Sequence, residues 1–180
     1  MAQWTYSKVV NKMAIQWTLV VKTNRLGDRL EALAMMRDYL SHVEQTIAGA
    51  SGRCLLLGPR ENIDGTFPSS VTSITEWHEY PEIDGVFDTL VSIENLASSK
   101  NLSNMLKTLL MFTHPESLLL FCDQTATPLR NAHTSRQDIT GLMWNNGWSV
   151  IECSRNTIGK GRRPSAYVSG RARPKRLSNH

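Results

Sequence analysis

The sequence predicts an α/β domain built on a mostly parallel sheet, and three observations predict it. Phe87 to Ile93 and Leu118 to Cys122 are short runs dominated by apolar residues, the pattern of strands buried on both faces. Between them, Leu102, Met105, Leu106, Leu109 and Leu110 recur at three- and four-residue steps, one stripe of a helix. Two buried strands joined by a helix make a crossover unit, whose strands run parallel.

In chain order, residues 1–27 read as an N-terminal arm, 28–173 as one domain and 174–180 as a basic tail. The arm holds no acid but carries Lys8, Lys12, Lys22 and Arg25. Acid-poor, basic starts include mitochondrial transit peptides, and a structural arm with Ala14 to Val21 as a strand or docking segment is the other reading. Asp28 and Glu31 have the spacing of a capping box. Leu30, Leu33, Met36, Leu40, Val43 and Ile47 follow as a helical stripe, which Gly49 and Gly52 end. Its expected partner is the next strand, Cys54 to Leu57.

Only 28 residues separate Gly58 from Phe87, and among them Ser70 to Trp77 alone alternates as a strand. Each crossover takes a dozen or more residues. One βα unit is therefore reduced or missing. Farther on, Pro115 is expected to stop the helix that begins near Asn101, since proline cannot supply the next backbone donor. A helix over 136–145 follows, then an Asn145-Asn146-Gly147 turn with Gly147 suited to positive φ. Trp148 to Cys153 and Pro164 to Gly170 read as the remaining strands.

At 180 residues and 41% apolar, the chain suits a single domain with a real core. No apolar run is long enough to span a membrane as a helix. Three cysteines, Cys54, Cys122 and Cys153, are too few and odd in number for a disulfide framework, and read as buried thiols in a reducing compartment. The expected location is intracellular and cytoplasmic, with mitochondrial import as the alternative. No metal is expected: CxxC and CxxH are absent, and His42, His78, His114, His133 and His180 lack ligand spacing. His114 reads as a turn residue. There is no nucleophile elbow, no phosphate-binding loop and no intact dinucleotide fingerprint.

The net charge of +4 is unevenly placed. Eight of the 20 cations follow Ser154, with no acid among them, which leaves 12 cations against 16 acids in the body. Such asymmetry points to an acidic partner for the basic end, RNA or a protein surface, through Arg162, Arg163, Arg171, Arg173, Lys175 and Arg176.

The segment FDTLVSIENLAS, followed by a helix and HPESLLLFCDQ, resembles the second half of class I S-adenosylmethionine-dependent methyltransferases. MRDYLSHVEQTIAGASGRCLLLG resembles the start of their small, thiol-methyltransferase-like group, and DITGLMWNNGWSVIECSRN resembles the family's ending. The resemblance implies a Rossmann-like three-layer domain, mostly parallel, with an antiparallel last strand. It also implies S-adenosylmethionine as cofactor, with Gly58, Glu76, Ser92 and Glu94 at cofactor-binding positions. Glu76 would be the ribose-binding acid at the end of the second strand; alternatively this strand is the family's third and the ribose-binding unit is gone. Asp123 and Gln124 end the strand that borders the substrate in the family.

The sequence departs from that pattern where the cofactor would sit. The family reads acid-x-G-x-G-x-G after its first strand, because the backbone must turn tightly and approach the ligand without a Cβ in the way. Here the acid falls on Leu56, the first glycine on Gly58, and the next two on Arg60 and Asn62, with Pro59 inside the loop. Glycine loss and shortening fall on one site. The expectation is a pseudoenzyme with no catalytic residue assigned, serving as a binding or scaffold module, with a ribonucleoprotein or protein complex as its setting. An active methyltransferase is the alternative.

Overall fold

The computed structural model describes residues 26–57, 67–77, 83–93, 95–96, 101–126, 136–158 and 165–175. In chain order the elements are α1 (Leu26–Ile47), β1 (Gly52–Leu57), β2 (Val71–Glu76), β3 (Phe87–Ile93), α2 (Leu102–Leu110), β4 (Thr113–Ala126), α3 (Arg136–Asn145), β5 (Trp148–Ile158) and β6 (Ser165–Pro174). They form one six-stranded sheet in the order β2-β1-β3-β4-β6-β5. β1 pairs parallel with β2 and with β3, and β3 pairs parallel with β4. β6 is inserted antiparallel between β4 and β5, as expected of the last strand.

Helices cover the sheet on both sides because its apolar residues alternate. On one face α1 lays Tyr39, Val43 and Ile47 against Cys54, Leu56, Val91, Leu120, Cys122 and Tyr167. The expected stripe is thus turned slightly: Tyr39 faces inward and Leu40 is half-buried. Its partners extend past β1 to β3, β4 and β6, since a helix of 22 residues, about 33 Å long, must cross several strands. On the other face α2 and α3 bury Leu106, Leu109, Ile139 and Met143 with Leu55, Leu90, Leu119 and Phe121. Trp148 is fully buried there, and its indole N–H donates to the Leu106 carbonyl at 2.9 Å, so a large ring enters the core with its polar atom satisfied.

Asn101 caps α2, its side chain accepting the Asn104 N–H at 3.1 Å. The end of α2 corrects the expectation for Pro115. The helix stops at Leu110, and the N–H groups of Met111 and Phe112 bond back to Thr108 and Leu109 in a tightened last turn. The Phe112 carbonyl then accepts the Phe87 N–H at 2.9 Å. The chain has joined the sheet before Pro115 is reached. The register with β3 jumps from Phe87↔Thr113 to Thr89↔Leu118, so residues 114–117 form an excursion within β4. Gly147 takes φ +87, as its turn requires, and a Cβ there would stand 2.7 Å from Leu110 Cδ1.

Candidate functional site

In an open α/β sheet a ligand binds outside the carboxyl ends of the strands, where the connections leave in opposite directions. Here that point lies between β1, whose chain continues to β2 on one side, and β3, whose chain continues through α2 to β4 on the other. Glu76 ends β2 directly beside Leu56, and the Trp77 N–H donates to the Leu56 carbonyl at 2.8 Å. This pairing seats the β2 carboxylate next to the end of β1, which supports the second-strand reading of Ser70 to Trp77. Trp77 itself turns onto the α2 side, its ring edge-on to Phe112 at 5.5 Å.

Ser92 pairs with Leu57 on one side and Phe121 on the other. It is fully buried, and its hydroxyl has no hydrogen-bond partner among the described residues. Asp123, two residues beyond Phe121, is also fully buried. Gly58 and Glu94 lie outside the described residues, as do Pro59, Arg60 and Asn62.

Asn95 is the residue that the sequence reading missed. Its side-chain amide donates to the Ile93 carbonyl at 2.8 Å and also to the Leu57 carbonyl, spanning the ends of β3 and β1 across the crevice. The available signal was chemical: asparagine just after a buried strand is suited to bonding free backbone groups.

Fit to S-adenosylmethionine can be tested on these atoms. Glu76 ends β2 beside Leu56, the place where the resemblance implies a ribose-binding carboxylate. Leu56, the position of the family's other acid, is 1% exposed beneath α1 and offers no charge. The Leu57 carbonyl is already engaged by Asn95. The described residues therefore fit one part of the cofactor and not its charged amino-acid end. Cys54 is fully buried, and that burial pushes its thiol up to about 11. Among the described residues no three His, Cys, Asp or Glu side chains could hold a metal ion, and no helix is long and apolar enough to cross a membrane.

The opposite end of the sheet carries a different cluster. Asp88 accepts the Arg53 N–H at 2.8 Å and meets His114 Nε2 at 3.1 Å. His114 Nδ1 accepts the Glu116 N–H at 3.3 Å, which assigns the proton to Nε2. Both ring nitrogens are used, so His114 pins its excursion, in agreement with a turn role. The Arg53 N–H, foremost, holds the Asp88 carboxyl below its usual range, with help from His114. The Ser117 hydroxyl accepts the His114 N–H and donates to the Phe87 carbonyl, joining β4 to β3.

The basic end is acid-free in sequence but not in space. Arg171 pairs with Glu152 at 3.0 Å and Arg173 with Glu116 at 3.9 Å, across neighbouring strands. Lys175 donates to the Trp144 carbonyl and lies over its ring, 3.6 Å from the centre. Arg162, Arg163 and Arg176 lie outside the described residues.

With its parallel strands, antiparallel β6 and helices on both faces, the chain has the fold of the class I S-adenosylmethionine-dependent methyltransferases. Among solved structures, it is similar to the Burkholderia thailandensis 1,6-didemethyltoxoflavin-N1-methyltransferase with bound 1,6-didemethyltoxoflavin and S-adenosylhomocysteine, with TM-score 0.53 and 13% identity over 98% of this chain and 92% of that one. It is also similar to the N-methyltransferase NodS from Bradyrhizobium japonicum WM9, with TM-score 0.51 and 14% identity over 79% and 97%. A [4+2]-cyclase, SpnF, matches at TM-score 0.51 and 8% identity over 77% and 80%. At such identities the likeness shows the fold, and the cyclase shows that this fold hosts more than methyl transfer. No protein-family model matches the sequence, and neither does any curated protein.

Proposed function

We propose that this chain is a methyltransferase-fold binding module whose ligand crevice no longer holds S-adenosylmethionine well enough for catalysis, and whose basic end engages an acidic partner. The observation that carries it is Asn95, which takes up the Leu57 carbonyl and ties β1 to β3 at the crevice. Leu56, apolar and buried, and the sequence Gly58-Pro59-Arg60-Glu61-Asn62 add to it: a Cβ at each loop position after Gly58 resists close backbone approach.

A second reading is an active S-adenosylmethionine-dependent methyltransferase acting on a small molecule or other acceptor. Glu76 favours it, by its place beside the end of β1. Calorimetry with S-adenosylmethionine and S-adenosylhomocysteine separates the two.

A further inference from the structure

We infer that the end of the sheet opposite the ligand crevice is a docking surface for a protein segment that presents carboxylates around an apolar anchor. Four large apolar side chains are exposed among the described residues, and three lie at this end: Val86 at 45%, Met111 at 64% and Trp144 at 59%. The backbone brings them together. The bond from the Phe87 N–H to the Phe112 carbonyl joins the residues that follow Val86 and Met111. Gly147, packed against Leu110, brings up the end of α3 that carries Trp144. A lone exposed apolar residue needs no explanation, but three contributed by separate segments at one end of a sheet do.

The charges around them select the partner. Arg53 is the second residue of β1, Lys107 lies in the last turn of α2, and Lys175 follows β6. None of the three makes an ion pair among the described residues. Arg53 lies over the Phe87 ring at 5.1 Å, and Lys175 over Trp144. Of the described acids at this end, Asp88 is engaged by His114 and Glu116 by Arg173, which leaves Asp84. Among the described residues cations are in excess.

That excess rules against a second copy of the chain, which would set like charge against like. Residues 1–25 and 176–180 are no better, because they contain no acid. A nucleic acid would need an open ring face for stacking, and one face of Trp144 is covered by Lys175. An apolar centre containing Met and Trp, within a polar rim, is instead the anatomy of a protein interface. This inference holds whichever way the cofactor question falls.

The test is selection of peptides from a random library on the immobilised full chain. The enriched peptides should combine Asp or Glu with aromatic or aliphatic residues. Met111→Asp and Lys107→Glu should each weaken the selected peptides about tenfold or more. Ile151→Asp, which places the same charge on the edge strand β5 outside the proposed cluster, should leave affinity unchanged. Thermal melts confirm that each variant is folded. No enrichment, enrichment of basic peptides, or equal affinity in the Met111 and Lys107 variants would overturn the proposal. So would equal loss in the Ile151 variant, a dimer dissolved by Met111→Asp, or binding of an RNA oligonucleotide through the same residues.

Discussion

The side-chain amide of Asn95 donates to the backbone carbonyl of Leu57, 38 residues earlier, and so closes the ends of β1 and β3 on each other. Replacing Asn95 with Ala leaves two carbonyls, Leu57 and Ile93, without this donor. The cost should be about 1–3 kcal/mol of unfolding free energy, the usual penalty for a part-buried polar group left unsatisfied. Urea denaturation of wild type and Asn95→Ala measures it. A variant as stable as wild type would show that the bridge does not hold the crevice.

At the other end, Gly52 has φ +66, and a Cβ there would stand 2.2 Å from Asp88 Oδ2. Gly52→Ala should therefore cost more than about 1 kcal/mol, combining left-handed strain with displacement of the carboxylate from the Arg53 N–H. Adding Asp88→Ala should recover part of the loss, because the contacts with Oδ2 and Cγ go while the 2.8 Å approach to the residue 88 Cβ and the strain stay. Strict additivity of the two substitutions would argue against the contact.

Asp88 also sets a pH dependence. Its carboxyl is held below the usual value of 3.8, so the folded state binds the proton less readily than the unfolded state. Its contribution should be fully present above that value and disappear as the pH falls through the lower folded value. The stability difference between wild type and Asp88→Asn should accordingly shrink as the pH falls below about 4. A difference that grew as the pH fell below that value would contradict the assignment.

How much of this was legible in the sequence depended on what each residue's role required. Phe87–Ile93 and Arg136–Asn145 were readable to the residue, because burial and helical period leave a local trace. The full lengths of β4, β5 and β6 were not. Their antiparallel ribbon runs on to Ile158 and Ser165 through polar residues such as Asn156, held by backbone pairing that demands no apolar pattern. Asp88 with His114, and Arg173 with Glu116, join residues far apart in the chain, so an acid-free tail in sequence finds acids in space. Asn95 carried a weak local signal, and its bond to Leu57 carried none.

The same pairs make a prediction about salt. Glu116 and Glu152 face Arg173 and Arg171 and partly neutralise them. Changing both acids to Gln should steepen the fall of log RNA affinity with log salt by up to about −1.4, or roughly −0.7 for each cation released to a phosphate. A salt titration with a single-stranded oligonucleotide reads the slope directly. An unchanged slope would mean that these arginines do not meet phosphate.

Whether the crevice is still a cofactor site is tested most directly by calorimetry of the full chain with S-adenosylmethionine and S-adenosylhomocysteine. With Leu56 apolar and buried and Leu57 engaged by Asn95, the predicted dissociation constant is above about 1 mM for both, less than about 4.1 kcal/mol of binding. Saturable micromolar binding, abolished by Glu76→Ala, would contradict the binding-module reading and establish an active methyltransferase site.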